Sequence, residues 1–201
     1  MAASLEEMFQ KQLNNPNDLL GQQYSYLRDL NRVPGMKWEY MMGKEGEYSP
    51  WENSLRVSPD AINPERTLAH EMQHAVRSAI GGQAYELKKK FNPTPEEKRL
   101  IEAADKLQDT DTNIPMTGLN SYRSSPSERQ SYGVANSRYQ SGGEYRGTPH
   151  LDPTMATEQA ILFDLAKRAR KGAAKPEPKR DYVDETINNA TDLIRNMFTP
   201  K

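Results

Sequence analysis

Two histidines and a glutamate, spaced as on one face of a helix, are the residues of this chain best suited to chemistry. Residues 67–76 read Thr-Leu-Ala-His-Glu-Met-Gln-His-Ala-Val, which places His70 and His74 four positions apart and Glu71 directly after the first. The chain has 3 histidines in all, so most of them lie here. Residues four apart in a helix lie one turn apart on the same face, so both imidazoles can bind one metal ion.

The glutamate has a different role from the histidines. Glu71 is rotated by roughly 100° about the helix axis from His70, which places its carboxylate beside the metal and not on it. A carboxylate in that place can accept a proton from an attacking water and return it to a leaving amine. The simpler alternative is a surface helix that carries two incidental histidines.

The residues around the motif predict the helix that positions it. Asn63 suits an N-cap, Pro64 the first helical position and Glu65 the positive helix end. Gly81-Gly82 favours a stop, so we expect a helix from about Pro64 to Ile80. Its flanks are uncharged, as packing inside a domain requires: Leu68, Ala69, Met72, Gln73, Ala75 and Val76.

The segment from Ser54 to Gly81 resembles the active-site helix of the zincin superfamily of metallopeptidases. The resemblance implies a Zn²⁺ cofactor and hydrolysis of peptide bonds. No histidine follows soon after His74, which excludes the metzincin form. In the gluzincin form a glutamate from a later helix is the third metal ligand, and the resemblance implies Glu128 for that position.

Glu128 also has a purely structural interpretation. Ser125-Pro126-Ser127-Glu128 is a capping box with proline at the first helical position, which explains the glutamate without any metal. Other candidates for the third ligand are Glu144, His150 and Asp152.

Two further residues are candidates to donate a hydrogen bond to the oxyanion that forms when the carbonyl is attacked. Tyr132 lies one helical turn after Glu128. His150 follows Pro149 in a loop-like stretch, where a polar surface residue is the simpler interpretation.

A small antiparallel sheet is expected before the motif. Alternation between Met36 and Met42, followed by Gly43 to Gly46, predicts a hairpin, and Ser54–Ser58 predicts a further strand. In zincins an edge strand just before the metal helix pairs with the substrate backbone, a mode of strand addition. The resemblance therefore implies substrate contacts from Leu55 and Val57, although an ordinary structural hairpin fits the same pattern.

The rest of the chain predicts helices. Capping signals open helices at Ser4 (to Leu13), Asn17-Asp18 (to Asn31), Thr94 (to Gln108), Pro126 (to Arg138) and Asp152 (to Lys171), and a last helix covers residues 182–198. The predicted fold is therefore α+β and predominantly α-helical: a minimal zincin core with helical extensions at both ends. We predict an N-terminal helical extension at 1–32, a zincin-like domain at 33–171, and a linker with a C-terminal helix at 172–201.

Composition limits the partners. The net charge is −1, and no segment is apolar for 18 residues, so neither nucleic acid nor a membrane span is expected. The basic stretch between Lys167 and Arg180 has no interleaved aromatics and fits a solvated linker. The acidic start predicts no secretory signal and a cytoplasmic location. With only 35% hydrophobic residues, the alternative is a subunit of a large assembly such as a bacteriophage virion, whose partners are other subunits.

Overall fold

The computed structural model describes residues 4–112, 125–138 and 153–170 and has an α+β fold dominated by helices, which confirms the predicted fold class. The helices of the described part are α1 (Leu5–Leu13), α2 (Leu19–Asp29), α3 (Pro64–Lys88), α4 (Pro95–Thr112), α5 (Pro126–Arg138) and α6 (Pro153–Arg170). The strands there are β1 (Gly35–Trp38), β2 (Gly46–Ser49) and β3 (Ser54–Val57). The predicted helix at 182–198 lies outside the described residues.

The first two helices begin where their capping residues predict. Ser4 Oγ accepts from the Glu7 N–H at 3.1 Å, and the Ser4 N–H donates to the Glu7 carboxylate at 2.7 Å, which completes a capping box. Asp18 caps α2 by accepting from the Leu20 N–H at 3.0 Å. Buried side chains recur along α1 with helical spacing and give it an apolar face: Leu5, Phe9 and Leu13.

The three strands form a mixed sheet in the order β1-β3-β2. β1 pairs with β3 in parallel, and β2 pairs with β3 in the antiparallel sense. The predicted wholly antiparallel sheet and the predicted hairpin between the 36–42 strand and the segment after Gly46 are therefore wrong. β2 pairs with the strand that follows it, across the turn at residues 50–53, because β3 buries its side chains and takes the central position.

Helix α3 carries the motif and is longer than the sequence predicts. Asn63 Oδ1 accepts from the Arg66 N–H at 3.0 Å, which confirms the predicted N-cap. The helix continues through Gly81-Gly82 to Lys88, so the predicted stop is wrong. Buried residues keep a 4–3 spacing beyond that point and continue the apolar stripe: Ile80, Ala84 and Leu87.

The chain forms two compact units. The described part of the first consists of residues 4–79 and 131–138, and that of the second of residues 80–112, 125–130 and 153–170. In the first, α1 packs against α2 and β1. In the second, α4 packs against α6, and Gln83 donates to the Ala166 carbonyl at 3.1 Å. The predicted domain boundaries at 32/33 and 171/172 stay predictions.

In the second unit, the Glu97 side chain stabilises the start of α4. The Thr94 N–H donates to the Glu97 carboxylate at 2.8 Å, which forms the predicted cap of α4, and Lys90 Nζ binds the same carboxylate. Burial alone would raise the pKa of Glu97, but the hydrogen bonds from Lys90 and from the Thr94 backbone outweigh it and lower the pKa. The described helices include none that is both long and apolar enough to cross a membrane.

Candidate metal centre

Helix α3 brings the two motif histidines together at their Nε2 atoms. His70 Nε2 and His74 Nε2 are 3.2 Å apart, and the two ring centroids are 4.9 Å apart with the rings nearly perpendicular. This follows from the helix itself, since side chains at positions i and i+4 point in the same direction one turn apart. His70 is 8% exposed and His74 is partly buried, so the pair lies at the rim of the packed interior.

The distance between the two nitrogens fits a shared zinc ion. Two imidazole nitrogens bound to a tetrahedral zinc at 2.0–2.1 Å each would be separated by about 3.3 Å. The observed 3.2 Å separation is close to that value. A Nε2–Nε2 hydrogen bond is the metal-free alternative, in which one ring donates to the other. Two imidazole nitrogens at this separation, with a carboxylate close by, are a set of donors that fits zinc.

Glu71 completes the group but lies to one side of it. Its Oε1 is 4.0 Å from His70 Nε2, and potential ligand atoms of His70, Glu71 and His74 lie within 4.8 Å of one another. The Glu71 residue is 8% exposed. A carboxylate at this distance would be able to hold a proton next to an ion bound by the two histidines.

The start of β2 lies directly against the Glu71 side chain. A Cβ added to Gly46 would lie 2.8 Å from Glu71 Cγ, 3.0 Å from Glu71 Oε1 and 2.5 Å from Thr67 Cγ2. Only a glycine therefore allows the β2 backbone to approach α3 this closely. The neighbouring Glu45 anchors the same loop, because it accepts from Thr67 Oγ1 at 3.3 Å and lies 3.7 Å from the Arg66 guanidinium.

Hydrogen bonds from a buried glutamine of α2 join this helix to α3. Gln23 Nε2 donates to Gln73 Oε1 at 3.0 Å and to the Ala69 carbonyl at 3.2 Å. Both contacts fall one residue before a motif histidine. The amide pair thus sets the rotation of the helix that carries the histidines. The sequence gives no sign of it beyond the uncharged Gln73 in the motif.

Two consecutive residues of α5 contact the two histidine rings. Ser131 Oγ lies 3.4 Å from His74 Nδ1, and Ser131 is 1% exposed. The Tyr132 ring packs on the His70 ring at 4.3 Å between centroids with a tilt of 48°. The structure therefore brings the predicted Tyr132 to the histidines. Ser131 was not predicted, because only the packing of α5 against α3 shows that its hydroxyl reaches an imidazole.

Glu128 lies on α5 one turn before Tyr132 and is 4% exposed. Its backbone N–H donates to Ser125 Oγ at 3.4 Å, which agrees with the capping interpretation. It belongs to the second unit, and its role as a metal ligand stays a prediction. The other candidates, Glu144, His150 and Asp152, lie outside the described residues.

The predicted substrate strand is in the wrong place in the sheet. β3 lies between β1 and β2, so its backbone is paired on both sides and no edge is free for strand addition. Leu55 and Val57 are 0% exposed. Their apolar side chains belong to the core, and this is why the strand is central. The edge strand next to Glu71 is β2.

Comparisons of the chain with protein-family models, with curated proteins and with solved structures find no match.

Proposed function

We propose that this protein is a zinc-dependent peptidase of gluzincin type. The observation that carries the proposal is the 3.2 Å separation of the two Nε2 atoms, with the Glu71 carboxylate beside them. His70 and His74 hold the ion, and Glu128 is the third ligand that the sequence predicts. When bound, zinc supplies a positive charge that polarises the carbonyl of the scissile peptide bond.

Side chains of the protein transfer the proton and stabilise the oxyanion. Glu71 accepts the proton of the water that attacks the carbonyl and passes it to the leaving amine. Among the described residues, Tyr132, whose ring packs on His70, is the candidate to donate a hydrogen bond to the oxyanion.

The edge of β2 that faces away from β3 is the proposed binding surface for an extended substrate. Among the described strands, β2 pairs with β3 alone, and its first residue, Gly46, lies against Glu71. A peptide added to this edge would be held by backbone hydrogen bonds close to the general base. This assignment replaces the one made from Leu55 and Val57.

Replacing Glu71 with glutamine tests the mechanism. The variant keeps the shape of the side chain but loses the basic oxygen, so we expect one zinc per chain and unchanged folding with cleavage reduced at least 10²-fold. Zinc content is measured by elemental analysis, and cleavage by mass spectrometry of a mixed peptide library.

Glu65→Gln is the matched control, since it makes the same change six residues earlier on α3, where Glu65 accepts from Gln12 at 3.2 Å. The control should cleave like the parent. Equal cleavage by Glu71→Gln and the parent would refute the mechanism. A parent that binds no zinc would favour the alternative of a structural subunit with a degenerate motif.

A further inference from the structure

Ser131 Oγ lies within hydrogen-bond distance of the His74 ring nitrogen that faces away from His70. Its hydroxyl is buried and lies 3.4 Å from Nδ1, while Nε2 of the same ring faces His70 Nε2 at 3.2 Å. The two nitrogens of His74 therefore have separate partners, one on α5 and one on α3. These two contacts favour one orientation of the His74 imidazole, which the His-Glu-x-x-His motif alone does not specify.

A neutral imidazole carries one N–H and one lone pair, and only the lone pair can bind a metal. If the Nδ1–H of His74 donates to Ser131 Oγ, the lone pair is left on Nε2, towards His70. Groups that bind the outer nitrogen of a metal-binding histidine fix its tautomer and orientation, and removing them typically weakens metal affinity 10–100-fold.

We propose that Ser131 is a positioning residue that holds His74 in the Nδ1–H tautomer, with Nε2 directed at the metal position. The inference rests on the proposed function for its consequence in metal binding, but the tautomer itself can be observed without metal. The neighbouring Tyr132 restrains the other ring by packing on His70. One turn of α5 therefore orients both histidines.

The experiment compares Ser131→Ala with the parent by two measurements. Long-range ¹H–¹⁵N NMR of the zinc-free proteins, at a pH where the imidazoles are neutral, reports which nitrogen of His74 carries the proton. Competition with a chromogenic chelator gives the Kd for zinc. We expect the Nδ1–H form in the parent, a mixture of tautomers in Ser131→Ala, and a zinc Kd raised about 10–100-fold in that variant.

Two further variants separate positioning from packing. Ser78→Ala makes the same substitution at an exposed position of α3 and should leave both measurements unchanged. Ser131→Thr keeps the hydroxyl and should restore most of the zinc affinity. If Thr does not fold, the tautomer measured in Ser131→Ala decides alone.

The two measurements distinguish failure of the role of Ser131 from failure of the proposed function. An unchanged His74 tautomer with a zinc Kd within about 2-fold of the parent would overturn the role of Ser131 and leave the proposed function standing. A parent that binds no zinc would overturn the proposed function, and the NMR measurement would still decide whether Ser131 positions His74.

Discussion

At the scale of single residues, the arrangement of the candidate site depends on one backbone position as much as on the side chains of the motif. Gly46 has no chemistry of its own, yet the carboxylate of Glu71 occupies space that any side chain on Gly46 would take. The motif in the sequence names the histidines and the glutamate. It says nothing about this glycine, which is 25 residues earlier on another element.

Gly46→Ala should therefore damage both stability and activity. The added Cβ would lie 2.5 Å from Thr67 Cγ2 and 2.8 Å from Glu71 Cγ, so either β2 or the Glu71 side chain must shift. Overpacking of this kind costs about 1–3 kcal/mol, and we expect a loss of that size in the free energy of unfolding, measured with urea. If the protein is the proposed peptidase, cleavage should fall more than zinc affinity, since the added Cβ contacts Glu71 and neither histidine.

Gly35→Ala is the matched control, because it adds the same methyl group at the start of β1, where nothing lies within 4 Å. Its effect should stay within about 0.5 kcal/mol. Adding Thr67→Ser to Gly46→Ala removes Thr67 Cγ2, the atom nearest to the new Cβ, and should recover part of the lost stability. The effect of the double substitution on the free energy of unfolding should therefore differ from the sum of the two single effects. Equal losses from the two glycine substitutions would contradict the steric explanation.

At the scale of elements, local signals predicted where helices begin better than how strands pair. The capping boxes at Ser4 and Thr94 are formed as predicted, because each is decided by contacts within four residues. The parallel pairing of β1 with β3 was not predicted. It joins residues about 19 positions apart, with β2 between them in the sequence, and no local pattern specifies such a contact.

The C-terminal end of α3 is a second place where a local signal does not predict the structure. Two consecutive glycines favour a stop, but each costs only about 0.5–1 kcal/mol relative to alanine inside a helix. The buried stripe that includes Ile80, Ala84 and Leu87 outweighs that cost and carries the helix on to Lys88. Tertiary packing thus overrides the local preference.

Gly81→Ala should stabilise the protein. Gly81 lies inside α3, and an added Cβ would meet nothing within 4 Å, so the substitution gains helix propensity without a clash. We expect about 0.5–1 kcal/mol of added stability in urea unfolding. Gly81→Pro is the opposite test, and should cost about 3 kcal/mol or more because it removes a helical hydrogen bond. A destabilising alanine would mean that the helix does not pass through this position.

At the scale of the whole molecule, a chain with 35% hydrophobic residues divides into two compact units, and buried apolar side chains occur in both. Little apolar area is then available to stabilise either unit. A bound ion that contacts only the folded state adds stability by mass action, so its effect should be easy to detect in this protein.

Zinc should therefore raise the melting temperature. At a free concentration of 100 times its Kd, a ligand stabilises the folded state by about 2.7 kcal/mol. For a chain of 201 residues, this corresponds to about 5–10 °C in Tm. Scanning calorimetry with and without zinc measures the shift. His74→Ala removes one of the two facing nitrogens and should abolish most of it. Magnesium at the same concentration should have little effect, because it prefers oxygen ligands. An equal zinc shift in the parent and in His74→Ala would place the ion away from α3 and contradict the site.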